Sequence, residues 1–200
     1  MIIGITGGTG SGKTTLLQFI EAAGGVIYDC DQIYHQLLET DSGLQAAIAQ
    51  HFHNAMENGK INRKMLGNIV FQDTQALAML NAITHTAVKN EILHRLESEP
   101  SLAAIDAIGL FEGQLDGLCD ITVAVTAPRH ARIARIMARD GISEEYARNR
   151  VNAQQDDSWY QCRCDHTLEN DGDYELFVGK CLAFLQNLGI IKENEKGESL

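Results

Sequence analysis

Residues 2–15, IIGITGGTGSGKTT, constrain this chain more than any other stretch. Ile2, Ile3 and Ile5 form a short apolar, β-branched run, which reads as a buried strand. Gly7, Gly8, Gly10 and Gly12 then interrupt regular structure, and from Lys13 a helical pattern puts Leu16, Leu17 and Ile20 on one face. Strand, glycine loop and helix, in that order, frame Gly7-xxxx-Gly12-Lys13-Thr14, a phosphate-binding loop pattern. Glycines let the backbone curl until successive N–H groups point inward at phosphate oxygens, an approach that side chains would block. The positive end of the following helix adds to the attraction for an anion. Lys13 can reach the β- and γ-phosphates, and the Thr14 hydroxyl can ligate Mg²⁺ together with phosphate oxygens and water. The alternative, a glycine-rich turn leading into an ordinary helix, is disfavoured by the strand and helix flanks.

Two hundred residues suit one α/β domain with a moderate insertion. A net charge of −11 argues against nonspecific binding to DNA or RNA. An acidic protein that binds polyphosphate must gather its cations locally, and they collect in the arginine-rich stretch 129–150. No apolar run approaches membrane-spanning length, and the first strand leaves no room for a signal peptide, so a cytoplasmic location is expected. The expected partners are small molecules rather than nucleic acid or membrane, with the chain a monomer or weak homo-oligomer. The 5 cysteines are scattered; Cys162-x-Cys164 is too tight for the usual zinc pair and has no second pair, so reduced structural thiols are expected.

Gly24-Gly25 closes the first helix, and Val26-Ile27-Tyr28 reads as a second strand with Asp29-Cys30-Asp31 at its carboxyl end. In open α/β sheets that edge binds ligands. Asp31, ahead of Ile33, Leu37 and Leu38, fits two roles: a cap for the next helix, or a carboxylate that takes the proton of an attacking hydroxyl. Residues 41–99 carry almost no strand signal. Asp41-Ser42 looks like a helix start before Leu44, Ile48 and Phe52, and Asn58-Gly59 marks a turn. Met65, Leu66, Ile69, Val70 and Phe71 keep helical spacing, as do Leu77, Leu80, Ile83, Ala87, Val88, Ile92 and Leu96. Such a block suits a substrate-binding insertion; His85 lies in it, and a lone histidine there is by default a packing or surface residue.

Pro100 ends the block. Residues 102–105 read as a third strand closing at Asp106, and Gly109-Leu110-Phe111-Glu112 leads off its end at the ligand edge. Residues 121–125 give a fourth strand, and Pro128 starts a helix carrying Arg129, Arg132, Arg135 and Arg139. Asp140-Gly141 breaks that helix and Ser143-Glu144-Glu145 opens another. Arg132, Arg135 and Arg139 recur at spacings of three and four and so share one face. That face is either solvated and paired with nearby acids, or a cationic stripe on a lid that closes over phosphates. Residues 165–168 give a weak fifth strand and 176–188 a final amphipathic helix, and the tail KENEKGESL is expected to be disordered.

The motifs ITGGTGSGKTT (5–15), DCDQI (29–33), LNAITH (80–85) and LFE (110–112), followed by RIMARDG (135–141), RVNAQ (150–154) and ENDG (169–172), resemble in order and spacing those of the dephospho-coenzyme A kinase family. The resemblance runs from about residue 2 to 188. It implies an α/β P-loop kinase fold: a parallel five-stranded sheet flanked by helices, with a helical substrate-binding insertion and a lid. The expected core is 1–31, 100–128 and 163–190, with a coenzyme-A-side insertion at about 32–99, a lid at about 129–162 and a charged tail at 191–200. The implied reaction moves the γ-phosphoryl group of ATP to the ribose 3′-hydroxyl of dephospho-CoA, the last step of coenzyme A synthesis. By resemblance Gly8, Gly10, Ser11, Gly12, Lys13, Thr14 and Thr15 bind ATP phosphates and Mg²⁺, with Asn170 and Gly172 near the adenine. Asp31 is the base, Arg139 the lid cation, and Asp31, His35, His85 and Glu112 belong to the substrate side. The chain departs from the family pattern at His35, where arginine is usual, at Thr86, where proline is usual, and at Ile108-Gly109, where proline-leucine is usual. Two other readings remain: a P-loop kinase for another nucleotide or small alcohol, and a non-catalytic ATP-binding regulator. No Asn-Lys-x-Asp sequence supports a GTPase.

Overall fold

The computed structural model describes residues 1–70 and 72–192. In chain order the described residues form β1 (Ile2–Thr6), α1 (Lys13–Ala22), β2 (Val26–Asp29), α2 (Cys30–Thr40), α3 (Ser42–His51), β3 (Met56–Glu57), β4 (Lys60–Ile61), α4 (Arg63–Val70) and α5 (Thr74–Leu96). There follow β5 (Ala103–Asp106), β6 (Ile121–Thr126), α6 (Arg129–Asp140), α7 (Glu144–Asn152), α8 (Asp157–Gln161), β7 (His166–Glu169) and α9 (Tyr174–Asn187). Phe71, assigned by its spacing to a helical stripe, and the tail from residue 193 lie outside the described residues.

Two compact units are present: residues 1–27, 100–108 and 118–192 in one, and 28–99 with 109–117 in the other. The first is built on a five-stranded sheet of order β2-β5-β1-β6-β7. β1 runs parallel to β5, with Ile5 opposite Asp106, and parallel to β6, with Thr6 opposite Ala124; β6 in turn runs parallel to β7. A central parallel strand is covered on both faces, which is why β1 is apolar rather than alternating. Ile3, Ile5, Val123 and Val125 pack with Leu16 and Ile20 of α1 and Phe177 and Leu185 of α9 in one buried cluster. The fifth strand begins at His166 rather than Asp165. The Asp165 carboxylate instead accepts from Thr122 Oγ1 at 2.7 Å and Thr122 N at 2.8 Å. Those bonds, the hydroxyl's first, hold its pKa below the usual carboxylate value and fix where β6 starts.

In the second unit, Leu80, Thr84, Val88 and Ile92 form the buried stripe of α5, which packs against α2, α3 and α4. The Thr84 hydroxyl is satisfied locally by Leu80 O at 2.9 Å. The region with almost no strand signal nonetheless holds a small antiparallel hairpin, β3–β4. Asn58 and Gly59 both have positive φ, +51° and +77°, as a tight primed hairpin turn requires; two-residue strands leave no periodicity to read.

Aspartates cap α2, α3, α5, α8 and α9, namely Asp29, Asp41, Asp73, Asp156 and Asp173. Part of the chain's acidity therefore satisfies helix starts. One expected capping role is corrected. Asp31 is not the cap of α2: the helix already begins at Cys30, and Asp29 Oδ1 accepts from Gln32 N at 3.0 Å. Asp29 ends β2 in the extended conformation that a cap needs (φ −78°, ψ 108°), whereas Asp31 lies inside the first turn.

Candidate active site

The glycine loop joins β1 to α1, and Lys13 is the first helical residue. Among the described residues no side chain caps α1; Gly12 stands at the cap with φ +110°, a conformation that only glycine adopts without strain. Lys13 Nζ donates to Gly7 O at 3.2 Å and lies 3.8 Å from Asp106 Oδ1. Ser11 is 1% exposed, and its hydroxyl has no hydrogen-bond partner among the described residues. An orphaned buried hydroxyl inside a curled glycine loop fits a bound phosphate. Exposed Thr14 on the first turn of α1 and the Asp106 carboxylate beside Lys13 fit the sparse oxygen set that Mg²⁺ takes when phosphates and water complete its shell.

The glycines serve a second purpose that the sequence did not reveal. A Cβ on Gly8 would collide with the Arg132 guanidinium, one on Gly12 with the Asn170 amide, and one on Gly10 would approach Arg132 O to 2.9 Å. The loop is thus packed closely from behind. Arg132 Nε donates to Thr9 O at 3.0 Å, and Arg135 Nη1 to Gly10 O at 3.1 Å and Ser11 O at 3.3 Å. Asn170 Nδ2 also donates to Ser11 O, at 2.8 Å, and Asn170 Oδ1 accepts from Arg135 Nη2 at 2.8 Å.

The three-arginine stripe accordingly does not act as one. Arg132 is 3% exposed; burial pulls its guanidinium below its ordinary pKa, opposed by Asp157 at 3.6 Å. Arg135 is committed to loop carbonyls. Arg139 has a 61% exposed side chain and pairs through Nε with Asp140 Oδ1 at 2.7 Å. That bond raises the Arg139 pKa, and hydrogen bonds and charge from Arg139 and then Arg150 lower that of Asp140. Helix position carries Arg132 into the core and Arg139 to the open end.

The structure brings Gly8, Gly10, Ser11, Gly12, Lys13, Thr14, Thr15 and Asn170 together. Gly172, with φ +122°, stands in open space two residues beyond Asn170. In the second unit, Asp31 and His35 are exposed on α2, and the His35 ring is tilted against Tyr34 at 5.7 Å. His85 Nδ1 lies 3.2 Å from Glu112 O, a bond that places the proton on Nδ1. A Cβ on Gly109 would sit 3.9 Å from His85 Nε2 and 3.8 Å from Glu112 Oε2, so these three residues share one corner. Sequence reasoning missed Asp106 and Gln154 as candidates. The signal for Asp106 was an acid closing an apolar strand; Gln154 closes the RVNAQ motif, which marks it without giving its role. The 5 cysteines are thiols, with Cys164 and Cys181 pushed up to about 11 by burial.

A parallel sheet, a glycine loop at the end of its central strand and a lysine opening the next helix define a P-loop nucleotide-binding protein. The family model described as dephospho-CoA kinase matches residues 1–175. The dephospho-CoA kinase of Latilactobacillus sakei is 33% identical over 191 residues, which cover 93% of this chain and 95% of that one. A solved structure from Thermus thermophilus superposes with a TM-score of 0.80 at 31% identity, covering 94% of this chain and 97% of that one. The dephospho-CoA kinase of Campylobacter jejuni gives 0.64 at 25% identity, covering 94% and 96%. The chain belongs to the dephospho-CoA kinase family.

Proposed function

We propose that the chain transfers the γ-phosphoryl group of ATP to the ribose 3′-hydroxyl of dephospho-CoA, giving coenzyme A and ADP. The observation that carries this reading is a family match extending through the phosphate loop and the helical second unit alike. Phosphoryl transfer passes through a loose, anionic transition state, so positioning and charge neutralisation carry most of the catalysis. Lys13 supplies a cation to the β- and γ-phosphates, and the loop N–H groups hold their oxygens. Thr14 and Asp106 would hold Mg²⁺, which when bound neutralises phosphate charge and orients the transferring group. Asp31, whose carboxylate is not used as a cap, orients the 3′-hydroxyl and takes its proton. His35 and His85, from an insertion at 32–99, bind the acceptor together with Glu112 from the segment after β5.

Residues 129–162 act as the lid and deliver Arg139 to the transferring phosphoryl group. Asn170 and Gly172 border the adenine, Asn170 with its side chain already holding the loop. Closure after acceptor binding keeps water from hydrolysing ATP. Among the described residues no helix is long and apolar enough to cross a membrane; water-soluble substrates suit a cytoplasmic monomer or weak homo-oligomer.

The function is tested by ADP release from ATP·Mg²⁺ with dephospho-CoA, AMP, adenosine or pantetheine as acceptor. Release should depend on dephospho-CoA, and equal release with AMP would point to a different small-molecule kinase. The lid is tested separately. Arg139→Lys keeps the charge but loses the planar two-pronged donor, so kcat/KM should fall clearly. Arg129→Lys, which removes a guanidinium donating to Asn152 Oδ1, should be nearly silent. Equal effects at both positions would remove Arg139 from the site.

A further inference from the structure

Gln154 follows α7, and its amide makes three bonds at the phosphate loop. Oε1 accepts from Thr9 N at 2.9 Å and from Arg132 Nη2 at 2.7 Å, while Nε2 donates to Thr9 Oγ1 at 2.7 Å. The reverse amide orientation would set NH₂ against two N–H donors, so this network fixes it. With Arg132 on Thr9 O, the main-chain N–H, the carbonyl and the hydroxyl of Thr9 are all held by one amide and one guanidinium.

Thr9 occupies a position that the loop pattern leaves unspecified. Its neighbours Gly8 and Gly10 have more backbone freedom than any other residue type, so the phosphate-binding curl needs restraint from outside. That restraint is directional. The carbonyls of Thr9, Gly10 and Ser11 are bonded to arginines of α6, and the Thr9 N–H is bonded to Gln154 Oε1, so the curl is held from that one side. Gln154 completes the set from a different element, and it borders an open polar cleft lined by Arg129, Asn152, Gln155 and Asp157. Its location therefore follows from its hydrogen bonds rather than from tight packing, and truncation opens no sealed hole.

We infer that Gln154 is a positioning residue for nucleotide phosphate. It holds Thr9, and through Thr9 the curl of residues 8–12, so that affinity for the nucleotide depends on the segment after α7. It touches no substrate itself. The inference rests on the nucleotide-binding reading of the loop and not on the identity of the acceptor.

The test is ADP binding, by isothermal titration calorimetry on the full chain without acceptor. The variants are Gln154→Ala, Thr9→Val, the double variant and Thr9→Ser, each also melted without nucleotide. Gln154→Ala should weaken ADP about tenfold and Thr9→Val about threefold, the scale of lost hydrogen bonds. The double variant should be no weaker than Gln154→Ala alone, because both changes break the same contact. Thr9→Ser, which keeps the hydroxyl, should bind within about twofold of the parent. The inference is overturned if Gln154→Ala binds ADP like the parent, or if the double variant shows the roughly thirtyfold product expected of independent sites. It is equally overturned if the affinity loss only tracks the melting temperature. ADP binding needs no acceptor, so a failure to phosphorylate dephospho-CoA would leave this result standing, and the reverse holds too.

Discussion

Lys13→Ala should lower phosphoryl transfer by about 10²–10³-fold, the usual effect of removing one preorganised group that stabilises transition-state charge. Lys13 opens α1 from the loop, and its ammonium is held 3.2 Å from Gly7 O and 3.8 Å from Asp106 Oδ1. The side chain is 13% exposed and that of Asp106 19% exposed. The pair is thus shielded enough for its loss to register in stability, at about 1–3 kcal/mol, without unfolding the sheet. Circular dichroism and melting would establish the fold, and coupled ADP release would give kcat/KM. A folded Lys13→Ala variant with near-parental turnover would disprove the assignment of the loop.

Asp31→Asn should lower transfer by about 10²–10⁴-fold, the range for general-base catalysis, while leaving the protein folded. Because Asp29 caps α2, the change at Asp31 costs only a charge in the first helical turn, at most about 1 kcal/mol. Asp29→Asn provides the matched control: asparagine caps about as well as aspartate, so stability and transfer should both change little. Single-turnover transfer from labelled ATP, with melting curves in the presence and absence of ATP, separates the two residues. If Asp31→Asn turns over like the parent, the base lies elsewhere.

The central strand, the loop and the helix after it were legible because each residue there obeys a local rule: an apolar run, glycines, then helical spacing. The parallel sheet followed from strands separated by helical stretches. What resisted reading was long-range. Nothing in the spacing of Arg132, Arg135 and Arg139 says that the first is buried against Gly8 while the last is solvent-exposed. That division comes from the angle at which α6 meets the loop, which only packing sets. Gln154 lies 145 positions from Thr9 in sequence, so no window could pair them. The misplaced cap at Asp31 has a smaller cause. Two acids, at positions 29 and 31, both precede the apolar run of α2, and the end of β2 decides between them.

One measurement bears most directly on the central claim: the fate of the γ-phosphoryl group when γ-labelled ATP is incubated with the protein, Mg²⁺ and dephospho-CoA. The label should appear on the ribose 3′-oxygen of the product, with one ADP formed per label transferred, and an acceptor lacking the 3′-hydroxyl should receive none. Label released as inorganic phosphate whether or not dephospho-CoA is present, or transferred equally to the acceptor lacking the 3′-hydroxyl, would contradict the account.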